Sequence, residues 1–592
     1  MAEFSKLVIT KKGQALIAKV LAGTAKDVDF TKVATSKATY QVGELEGLTA
    51  LPDIMQEAGI SRKTRTNAVA VKLETAFSNT GLTVGYSMNT LGLYAADPEE
   101  GEILYAAAVE TSGNCYMPAY NGITVSGAYI TLITTVGNAE NVNLEVNPGA
   151  VATIGDIQAL EQEIADLRAF IGYTEPDIYG VEVDFKNRRF TRLAGAVGLN
   201  PGADFDSVNA FGGRKRCILT NEGVVLAYYG DAAYTETGAL LRAVTIGETT
   251  YPVGTKVQVM VEQPRFYYKV VPLELEPISG GDGHHMRKAR YYVSDQPRSG
   301  FKLHPLFKYN TAENEKVYLS AFEGCLWDKS ANTYLLNDEQ VADFAADMLS
   351  SIGNAKPVSG LTQNLTRANA RALAHNRGTG WEIQTAASAS ASQMLMLVEY
   401  ASFNMQEKIG VGVTSKVDDG ATSMTEITGA TTNLGNASGA VMNANNFNVV
   451  TYRGEENLWG NIWTFVDGMN INAKGIHKLY VADHAFADSV LDGAYKDTGI
   501  TLAKANGYVS AFGYNEAFDW LFVTSEVLGN SSLPVGDYFW QNHTYNAVMI
   551  ALLGADWNTG AYAGAFGWHV SAAPSHRYRN IGARPVYFPK VA

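Results

Sequence analysis

The residues between Ala551 and Phe588 have the types and the spacing of a surface that recognises a ligand. Glycines and aromatic residues recur through this segment, and small, polar or amphipathic residues stand between them. Phenol, imidazole, amide and hydroxyl groups of this kind supply stacking area and hydrogen bonds at a modest cost in conformational entropy. The candidate contact residues are Leu553, Ala555, Asp556, Asn558, Thr559, Tyr562, Gly567, His569, Ser571, Ala572, His576 and Tyr578.

The same segment should also contain the framework that carries these contacts. Aromatic residues between glycines usually pack beneath turns, so we expect buried side chains at Trp557, Phe566, Trp568 and Arg584. An ordinary loop-rich β domain would have a similar composition, because Gly and Asn supply the positive-φ positions of tight turns. The ordered motifs DWNTGAYAGAF, from residue 556 to 566, and NIGARPVY, from 580 to 587, favour a specialised surface over that alternative.

A coding pattern accompanies this composition. The segment contains no Lys, Glu, Gln or Met. From Asp556 to Tyr578, each candidate contact residue has a codon that can be reached from an asparagine codon by changing only adenines, whereas Lys, Glu, Gln, Met and Trp cannot be reached in this way. The pattern resembles the variable region of proteins that are diversified by a retroelement randomising template adenines. Members of that group, including the phage major tropism determinants, display such positions on a C-type-lectin fold, which the resemblance implies here, with a variable region at about 551–588.

Other residue types that could bind a metal or form a disulfide are poorly placed. The adjacent pair His284-His285 cannot supply convergent metal ligands and is expected at a solvated hairpin tip. The sequence Glu175-Pro176-Asp177 is far from 551–588, so the calcium loop of a sugar-binding lectin is not supported. An odd number of widely spaced cysteines argues against a disulfide framework or a zinc site and predicts buried structural thiols at Cys115, Cys217 and Cys325.

Length and composition limit what the chain as a whole can be. At 592 residues it exceeds what one hydrophobic core normally supports, so several domains are expected. Its 46% hydrophobic and 18% charged residues indicate a folded chain, and its net charge of −14 argues against nucleic-acid binding. The amino terminus lacks the apolar core of a secretory signal, and no later stretch is long and apolar enough to cross a bilayer. We therefore expect synthesis in a bacterial cytoplasm.

Residues 1–150 are predicted to form a β-rich domain that opens with a helix. Leu16, Ile17, Val20 and Leu21 have helical spacing, and Gly23 should end the helix. The segments AVAVKLETAF and AYITLITTV have strand-like alternation. The opening, EFSKLVITKKGQALIAKVLAGTAKDVDFTKVATS, resembles the amino-terminal domain of phage tail-collar and tail-fibre proteins. That resemblance implies a domain that attaches to a phage tail or baseplate.

Residues 151–175 contain a short heptad repeat. The apolar positions follow one another at intervals of 3, 4, 3 and 4, as in the a/d seam of a coiled coil: Ile157, Leu160, Ile164, Leu167 and Ile171. Ile at a with Leu at d favours two strands, whereas phage fibres are commonly trimers, and a single amphipathic helix packed on its own domain is a further alternative. We predict self-association here, with a homotrimer as the expected state.

Residues 176–592 are predicted to form one large β-rich domain with three helices. Strand patterns run from residue 178 to 328, and helices are expected in DEQVADFAADMLSSIG, LTRANARALAHNRG and AASASASQMLMLVEYASFNMQEKIG. The last two, followed by VVTYRGEENLWGNIWTFVDGMNI, resemble the paired helices and central strand of the formylglycine-generating-enzyme type of C-type-lectin fold. Enzymes of that type use paired cysteines late in the domain. Because this chain has no cysteine after Cys325, the same activity is not expected.

These observations predict an α+β, β-rich protein that binds rather than catalyses. The resemblances imply a phage tail-fibre protein, located in the virion, whose carboxy-terminal face contacts a bacterial surface receptor, either a glycan or a protein. We predict no catalytic residues, no metal and no cofactor. Two alternatives stay open: a phage depolymerase, which would need a pair of carboxylates to cleave surface polysaccharide, and a fixed-sequence bacterial surface adhesin.

Overall fold

The chain divides into two compact units, residues 1–167 and 168–592, and each is described by itself. The computed structural model describes residues 3–25, 27–65, 70–113, 115–122, 125–135, 145–147, 177–336, 342–360, 364–418, 424–473 and 475–591. The protein is β-rich with few helices, as predicted. The predicted coil lies outside the described residues, so its five seam positions and the predicted boundaries at 151 and 175 remain predictions.

The first unit opens with helix α1 (Lys11–Leu21), which confirms the predicted amphipathic helix. The hydroxyl of Thr10 caps it by accepting a hydrogen bond from the Gly13 N–H at 3.1 Å. Leu16 is fully buried on its inner face, and Gly23, with a φ of +75°, follows its end. Gly13 allows the helix to approach the sheet closely, because a Cβ there would lie 2.2 Å from the Tyr105 carbonyl oxygen.

The described strands of the first unit pack as two main sheets around one core. In chain order they are β1 (Val8–Ile9), β2 (Asp29–Ser36), β3 (Ile54–Gly59), β4 (Arg62–Arg65), β5 (Ala70–Ser78), β6 (Tyr86–Ser87), β7 (Thr90–Asp97), β8 (Gly101–Val109), β9 (Tyr116–Met117), β10 (Gly127–Thr135) and β11 (Glu145–Asn147). One sheet has the order β1-β8-β7-β2-β3 and the other β11-β10-β5-β4. Strands β5 and β10, which the sequence predicts, pair antiparallel over nine residues.

The first part of the second unit is built almost entirely from strands. They are β12 (Tyr179–Asp184), β13 (Arg189–Ala194), β14 (Lys215–Leu219), β15 (Val225–Tyr228), β16 (Val244–Ile246), β17 (Thr249–Tyr251), β18 (Gln258–Pro264), β19 (Tyr267–Pro277), β20 (His284–Ser294), β21 (Lys302–Leu303), β22 (Lys308–Tyr309), β23 (Ala312–Glu313), β24 (Lys316–Ser320), β25 (Cys325–Asp328), β26 (Thr333–Leu335) and β27 (Met348–Ser350). A single turn of helix, α2 (Asn209–Gly212), precedes β14.

Two of the three predicted helices are confirmed in the second part of this unit. They are α3 (Arg367–His375) and α4 (Ala386–Tyr400), and a short α5 (Met405–Lys408) follows. The hydroxyl of Thr385 caps α4, whose residues are buried on nearly every side, including Met394, Leu397 and Val398. A helix that is buried all round lies inside a core rather than on its surface, so α4 is the centre on which the surrounding sheets pack.

The remaining strands close the second unit around α4. They are β28 (Trp381–Ile383), β29 (Gly439–Met442), β30 (Asn448–Tyr452), β31 (Glu455–Glu456), β32 (Trp463–Asn472), β33 (Lys478–Val481), β34 (Lys496–Thr501), β35 (Gly507–Tyr508), β36 (Ala511–Tyr514), β37 (Thr524–Glu526), β38 (Tyr538–Phe539), β39 (Val548–Gly554), β40 (Gly564–Ala572), β41 (Ile581–Gly582) and β42 (Pro585–Tyr587). Strand β42 lies between β24 and β28 in the sheet β15-β14-β18-β24-β42-β28, and a second sheet has the order β34-β33-β32-β39-β40.

The predicted helix in DEQVADFAADMLSSIG is wrong over its described residues. Residues 344–346 form a turn and β27 follows it, paired with β25. The Asp343 carboxylate accepts the Ala345 N–H at 2.9 Å, and the Asp347 carboxylate accepts the Asp343 N–H at 2.8 Å. Aspartates that bond nearby backbone groups in this way compete with the helix for those groups, which explains the difference.

Two smaller predictions also need correction. Cys115 is partly exposed, whereas Cys217 and Cys325 are buried as predicted. The pair His284-His285 does not form a solvated tip, because both residues belong to β20 and pair with β36. The His285 imidazole Nδ1 also lies 2.9 Å from the Ser525 hydroxyl.

Candidate functional site

Beneath the segment 551–588 lies a buried framework, which confirms the sequence prediction. Trp557 and Trp568 are each 2% exposed, and Phe566 and Arg584 are buried with them. The indole N–H of Trp568 donates to the Phe522 carbonyl at 2.8 Å. Arg584 donates to the carbonyls of Glu456 at 2.7 Å and Ser320 at 3.1 Å. These bonds tie the carboxy-terminal segment to strands from distant parts of the unit.

The strand β40 is further held by a buried carboxylate. Asp537 accepts the backbone N–H of Phe566 at 2.7 Å, and burial raises the pKa of this carboxyl well above its usual value. A Cβ at Gly564 would lie 2.0 Å from the Asp537 carboxylate. Glycine at 564 is therefore required by the close approach of that side chain, and this part of the framework does not tolerate exchange.

Seven of the twelve candidate contact residues reach the surface. Asn558, Tyr562 and Tyr578 are exposed, and the tyrosines expose 45% and 55% of their surface. The partly exposed ones are Thr559, His569, Ser571 and His576. Most of these residues lie in the turns on either side of β40, and the others lie on β40 itself. The exposed set therefore lies on β40 and on the segments at its two ends.

The other five candidates are buried, which corrects the expectation that their side chains reach the surface. They are Leu553, Ala555, Asp556, Gly567 and Ala572. Leu553 lies in β39 between β32 and β40 and packs into the core. Ala555 has a φ of +76°, which few side chains tolerate. Codon compatibility does not distinguish the buried side of a strand from its exposed side, so the coding pattern could not separate these five residues from the exposed seven.

Buried Asp556 shapes the surface through the hydrogen bonds that it accepts. Its carboxylate accepts the side-chain amide N–H of Asn580 at 2.6 Å and the backbone N–H of Asn558 at 3.3 Å. It also accepts the Thr559 hydroxyl. These bonds join the turn after β39 to the segment before β41, so that the two form the walls of one groove.

That groove has a volume of about 490 Å³. It is lined by Asp418, Asp556, Trp557, Asn558, Arg577, Tyr578, Arg579 and Asn580. Arg579 forms an ion pair with Asp418 and places its guanidinium 5.8 Å from the centre of the Trp557 ring. The indole Nε1 of Trp557 is buried without a hydrogen-bond partner among the described residues. Two arginines and two aspartates balance one another in this lining.

Beside the groove lies a cluster of four aromatic rings, which we call the aromatic platform: Tyr508, Tyr538, Trp540 and Tyr562. Tyr508 in β35 faces Tyr538 in β38 across an antiparallel pair. The ring centres of Tyr538 and Tyr562 are 4.5 Å apart, and those of Tyr538 and Trp540 are 4.8 Å apart. Tyr508, Tyr538 and Trp540 are partly exposed, and Tyr562 is exposed. Each ring therefore packs on its neighbours and still presents surface to solvent.

Buried Trp463 connects the groove to the aromatic platform. Its backbone N–H donates to the Asn580 carbonyl at 2.9 Å, next to the groove. Its ring centre lies 5.2 Å from that of Trp540 and 5.4 Å from that of His569. Burial lowers the pKa of His569 to about 4, so the imidazole is neutral near pH 7. Groove and platform thus share a buried neighbour, and we call the two together the carboxy-terminal face.

Sequence reasoning missed three of the four platform residues. Tyr508, Tyr538 and Trp540 precede the segment 551–588 and reach it only through the pairing of β35 with β38 and of Trp540 with His569. The run Tyr538-Phe539-Trp540, in which the middle ring is buried and the outer two are partly exposed, is the signal that could have revealed them. In an extended segment, residues two apart share one side.

No protein-family model matches the chain, and no curated protein matches it. Solved structures of three Major Tropism Determinant variants align with it: the I1 variant at 13% identity, the U1 variant at 11% and the P3c variant at 12%. Each alignment covers 63% of this chain, and 72%, 72% and 71% of the respective variant, with a TM-score of 0.22.

Two further findings concern the described residues alone. No three His, Cys, Asp or Glu side chains in these ranges converge as the ligands of a metal ion would. None of the helices in the same ranges is long and apolar enough to span a membrane.

Proposed function

We propose that this chain is a phage tail-fibre protein that attaches the virion to a bacterial surface receptor through its carboxy-terminal face. The observation that carries the proposal is the separation of roles within one segment. Trp557, Phe566, Trp568 and Arg584 are buried, whereas Asn558, Tyr562 and Tyr578 are exposed beside them. A rigid scaffold that presents side chains which can change without unfolding it is what recognition of a changing target requires.

The remaining parts of the proposal rest on the sequence. Residues 1–150 attach the protein to the tail or baseplate, and the heptads at 151–175 join the chains as a homotrimer. The exposed positions are diversified by a retroelement that randomises adenines, on a face of the C-type-lectin type. Linking three such faces would raise the effective affinity by roughly 10²- to 10⁴-fold without any new contact, so that modest single-site affinity suffices for attachment.

A polysaccharide depolymerase is the second candidate, because the groove contains two carboxylates, Asp418 and Asp556. Glycoside hydrolysis uses such a pair, with one carboxyl group giving up a proton to the leaving oxygen. Here Asp418 is ion-paired with Arg579, and Asp556 accepts hydrogen bonds from Asn580, Thr559 and the backbone. These partners favour a structural role for both carboxylates and a binding function for the groove.

The test is binding of the purified full chain to a panel of bacterial isolates. We expect saturable binding to some isolates, and a loss of at least about tenfold in affinity for Tyr562→Ala and Tyr578→Ala, because exposed tyrosines at a contact surface are frequent hot spots. Tyr116→Ala, which removes a 63% exposed tyrosine from the first unit, is the matched control and should bind normally.

Two results would change this conclusion. Equal binding by all four proteins would remove the carboxy-terminal face from attachment. Release of reducing ends from surface polysaccharide, abolished by Asp418→Asn or Asp556→Asn, would replace a binding protein with a depolymerase. Sequencing the gene and its flanking DNA from a growing population tests diversification separately, since substitutions should fall at adenine-derived codons and spare the four buried framework residues.

A further inference from the structure

The aromatic platform combines residues from two sources. Tyr562 belongs to the segment 551–588, whereas Tyr508, Tyr538 and Trp540 come from outside it. The ring centres of Tyr508 and Tyr562 are 5.5 Å apart, and those of Tyr508 and Tyr538 are 5.3 Å apart. Replacing residues only within 551–588 would therefore leave three of the four rings in place. Part of the carboxy-terminal face stays constant while the rest changes.

The backbone that carries the constant rings is held by hydrogen bonds that do not involve Tyr562. The Trp540 N–H donates to the Trp568 carbonyl at 3.0 Å, and the Val570 N–H donates to the Trp540 carbonyl at 2.8 Å. Tyr508 and Tyr538 are held by the β35–β38 pair. Substitution of Tyr562 would therefore leave the backbone that carries the other three rings in place.

The amides that adjoin the platform are polar and uncharged, and one exposed cation, Lys504, lies two residues before Asn506. Polar groups of Asn506, Gln541 and Asn542 lie in the adjoining strand ends, and the Gln541 N–H donates to the Asn506 side chain at 2.8 Å. The neighbouring His569 is neutral near pH 7, as its lowered pKa requires. The groove adds two positive and two negative side chains that cancel, and the chain as a whole carries a charge of −14. The net charge of the chain therefore disfavours an acidic ligand at long range, and the balanced charges of the groove do not offset that repulsion.

We infer that the constant rings form a subsite for a neutral sugar ring of a bacterial surface polysaccharide. A pyranose presents an apolar C–H face that stacks on an aromatic ring and hydroxyl edges that bond to neighbouring amides. The platform offers both kinds of group in one place. The exposed residues of 551–588, beginning with Asn558, Tyr562 and Tyr578, select what flanks that sugar. This inference rests on the proposed function and names the chemical class of its receptor.

The experiment uses surface material stripped from an isolate to which the full chain binds. The material is separated by anion exchange into neutral and acidic polysaccharide, with a third portion treated with protease, and each is tested as a competitor of cell binding. We expect the neutral polysaccharide to compete, protease treatment to leave competition unchanged, and periodate oxidation of the sugars to abolish it. Competition confined to the acidic fraction, or destroyed by protease, overturns the inference.

The constant rings are tested by substitution in the same assay. Trp540→Ala and Tyr538→Ala should each weaken binding of the neutral polysaccharide by about tenfold or more, since a few aromatic residues commonly contribute most of the binding energy of a contact surface. Tyr545→Ala, a 47% exposed tyrosine on the adjoining loop, is the matched control and should bind normally. Natural sequence variants that differ at 558, 562 and 578 should all lose binding on Trp540→Ala. The variants must first show wild-type thermal unfolding, and Trp540→Phe serves where Trp540→Ala does not fold.

The outcomes separate this inference from the proposed function. Loss of cell binding in Tyr578→Ala, with normal binding in Trp540→Ala and Tyr538→Ala, keeps a receptor-binding protein and removes the constant subsite. Normal binding in these three variants and in Tyr562→Ala removes both. A change in sedimentation mass on Trp540→Ala with unchanged polysaccharide binding would assign the rings to a contact between copies of the chain and overturn the inference.

Discussion

Trp568→Ala should destabilise the second unit far more than Tyr578→Ala, although both residues lie within one short segment. Trp568 is 2% exposed and packs in the main core of the unit, and its indole N–H bonds to the Phe522 carbonyl at 2.8 Å. Truncation of a buried tryptophan costs about 3–5 kcal/mol, and a buried carbonyl left without a donor adds about 1–3 kcal/mol. Tyr578 is 55% exposed, so its loss should change the free energy of unfolding by about 0.5 kcal/mol or less.

The full-length chain permits this measurement because its tryptophans report on one unit. All 8 tryptophans lie between residues 327 and 568, so tryptophan fluorescence in a denaturant titration follows the second unit alone. We expect the unfolding midpoint of Trp568→Ala to fall well below that of the unchanged chain, with Tyr578→Ala close to it. Two results would refute the division into framework and face. One is a loss of unfolding free energy for Tyr578→Ala as large as that for Trp568→Ala. The other is a loss below about 1 kcal/mol for Trp568→Ala, where truncation at buried sites typically costs several kcal/mol.

Three further predictions concern the interior of the second unit. Burial raises the pKa of Glu323 to about 8, so between the usual carboxyl pKa and about pH 8 the folded state holds a proton that the unfolded state has released. The free energy of unfolding should therefore fall as pH rises from about 5 to 8, by at most about 1.4 kcal/mol per pH unit. Glu323→Gln should flatten that profile in denaturant titrations. Thr385→Ala removes the cap of α4, whose Ser388 N–H would lose its acceptor, and should cost about 1 kcal/mol in the same titrations. Gly460→Ala should lower the free energy of unfolding by about 1–2 kcal/mol or more, because the residue has a φ of +81° and a Cβ would lie 2.8 Å from the Val413 carbonyl oxygen. An unfolding midpoint equal to that of the wild-type chain would contradict this backbone conformation.

Local patterns were sufficient where a run of residues has the spacing and composition of a helix and no side chain competes for its backbone. The spacing of Leu16, Ile17, Val20 and Leu21 predicts α1, and the apolar residues around Met394 predict α4. The pattern failed in the residues before β27, because Asp343 and Asp347 bond the local backbone, and composition alone does not reveal that competition. Periodicity thus predicts a helix but does not reveal the side chains that prevent a helix from forming.

The carboxy-terminal face was predictable only in part, because the exposure of its residues depends on contacts between strands that are distant in the sequence. Trp557 and Trp568 follow from the rule that aromatics between glycines are packed, and both are buried. The exposure of Tyr562 and the burial of Leu553 depend on which strands flank β39, and that pairing involves β32, about 90 residues away along the chain. Tyr538 and Trp540 reach the face through pairings that no local pattern encodes.

The position of β42 ties this face to the way the protein is made. Tyr587 of β42 lies opposite both Tyr318 of β24 and Trp381 of β28, so this sheet stays open until residues 585–587 have left the ribosome. The exposed residues before β42 are thus translated before the strand that completes this sheet. A reading-frame error or premature stop within 551–584 leaves a chain that lacks β42 and cannot close its core, and such a chain is exposed to proteolysis. Completion of the sheet therefore depends on in-frame translation of the segment that precedes β42.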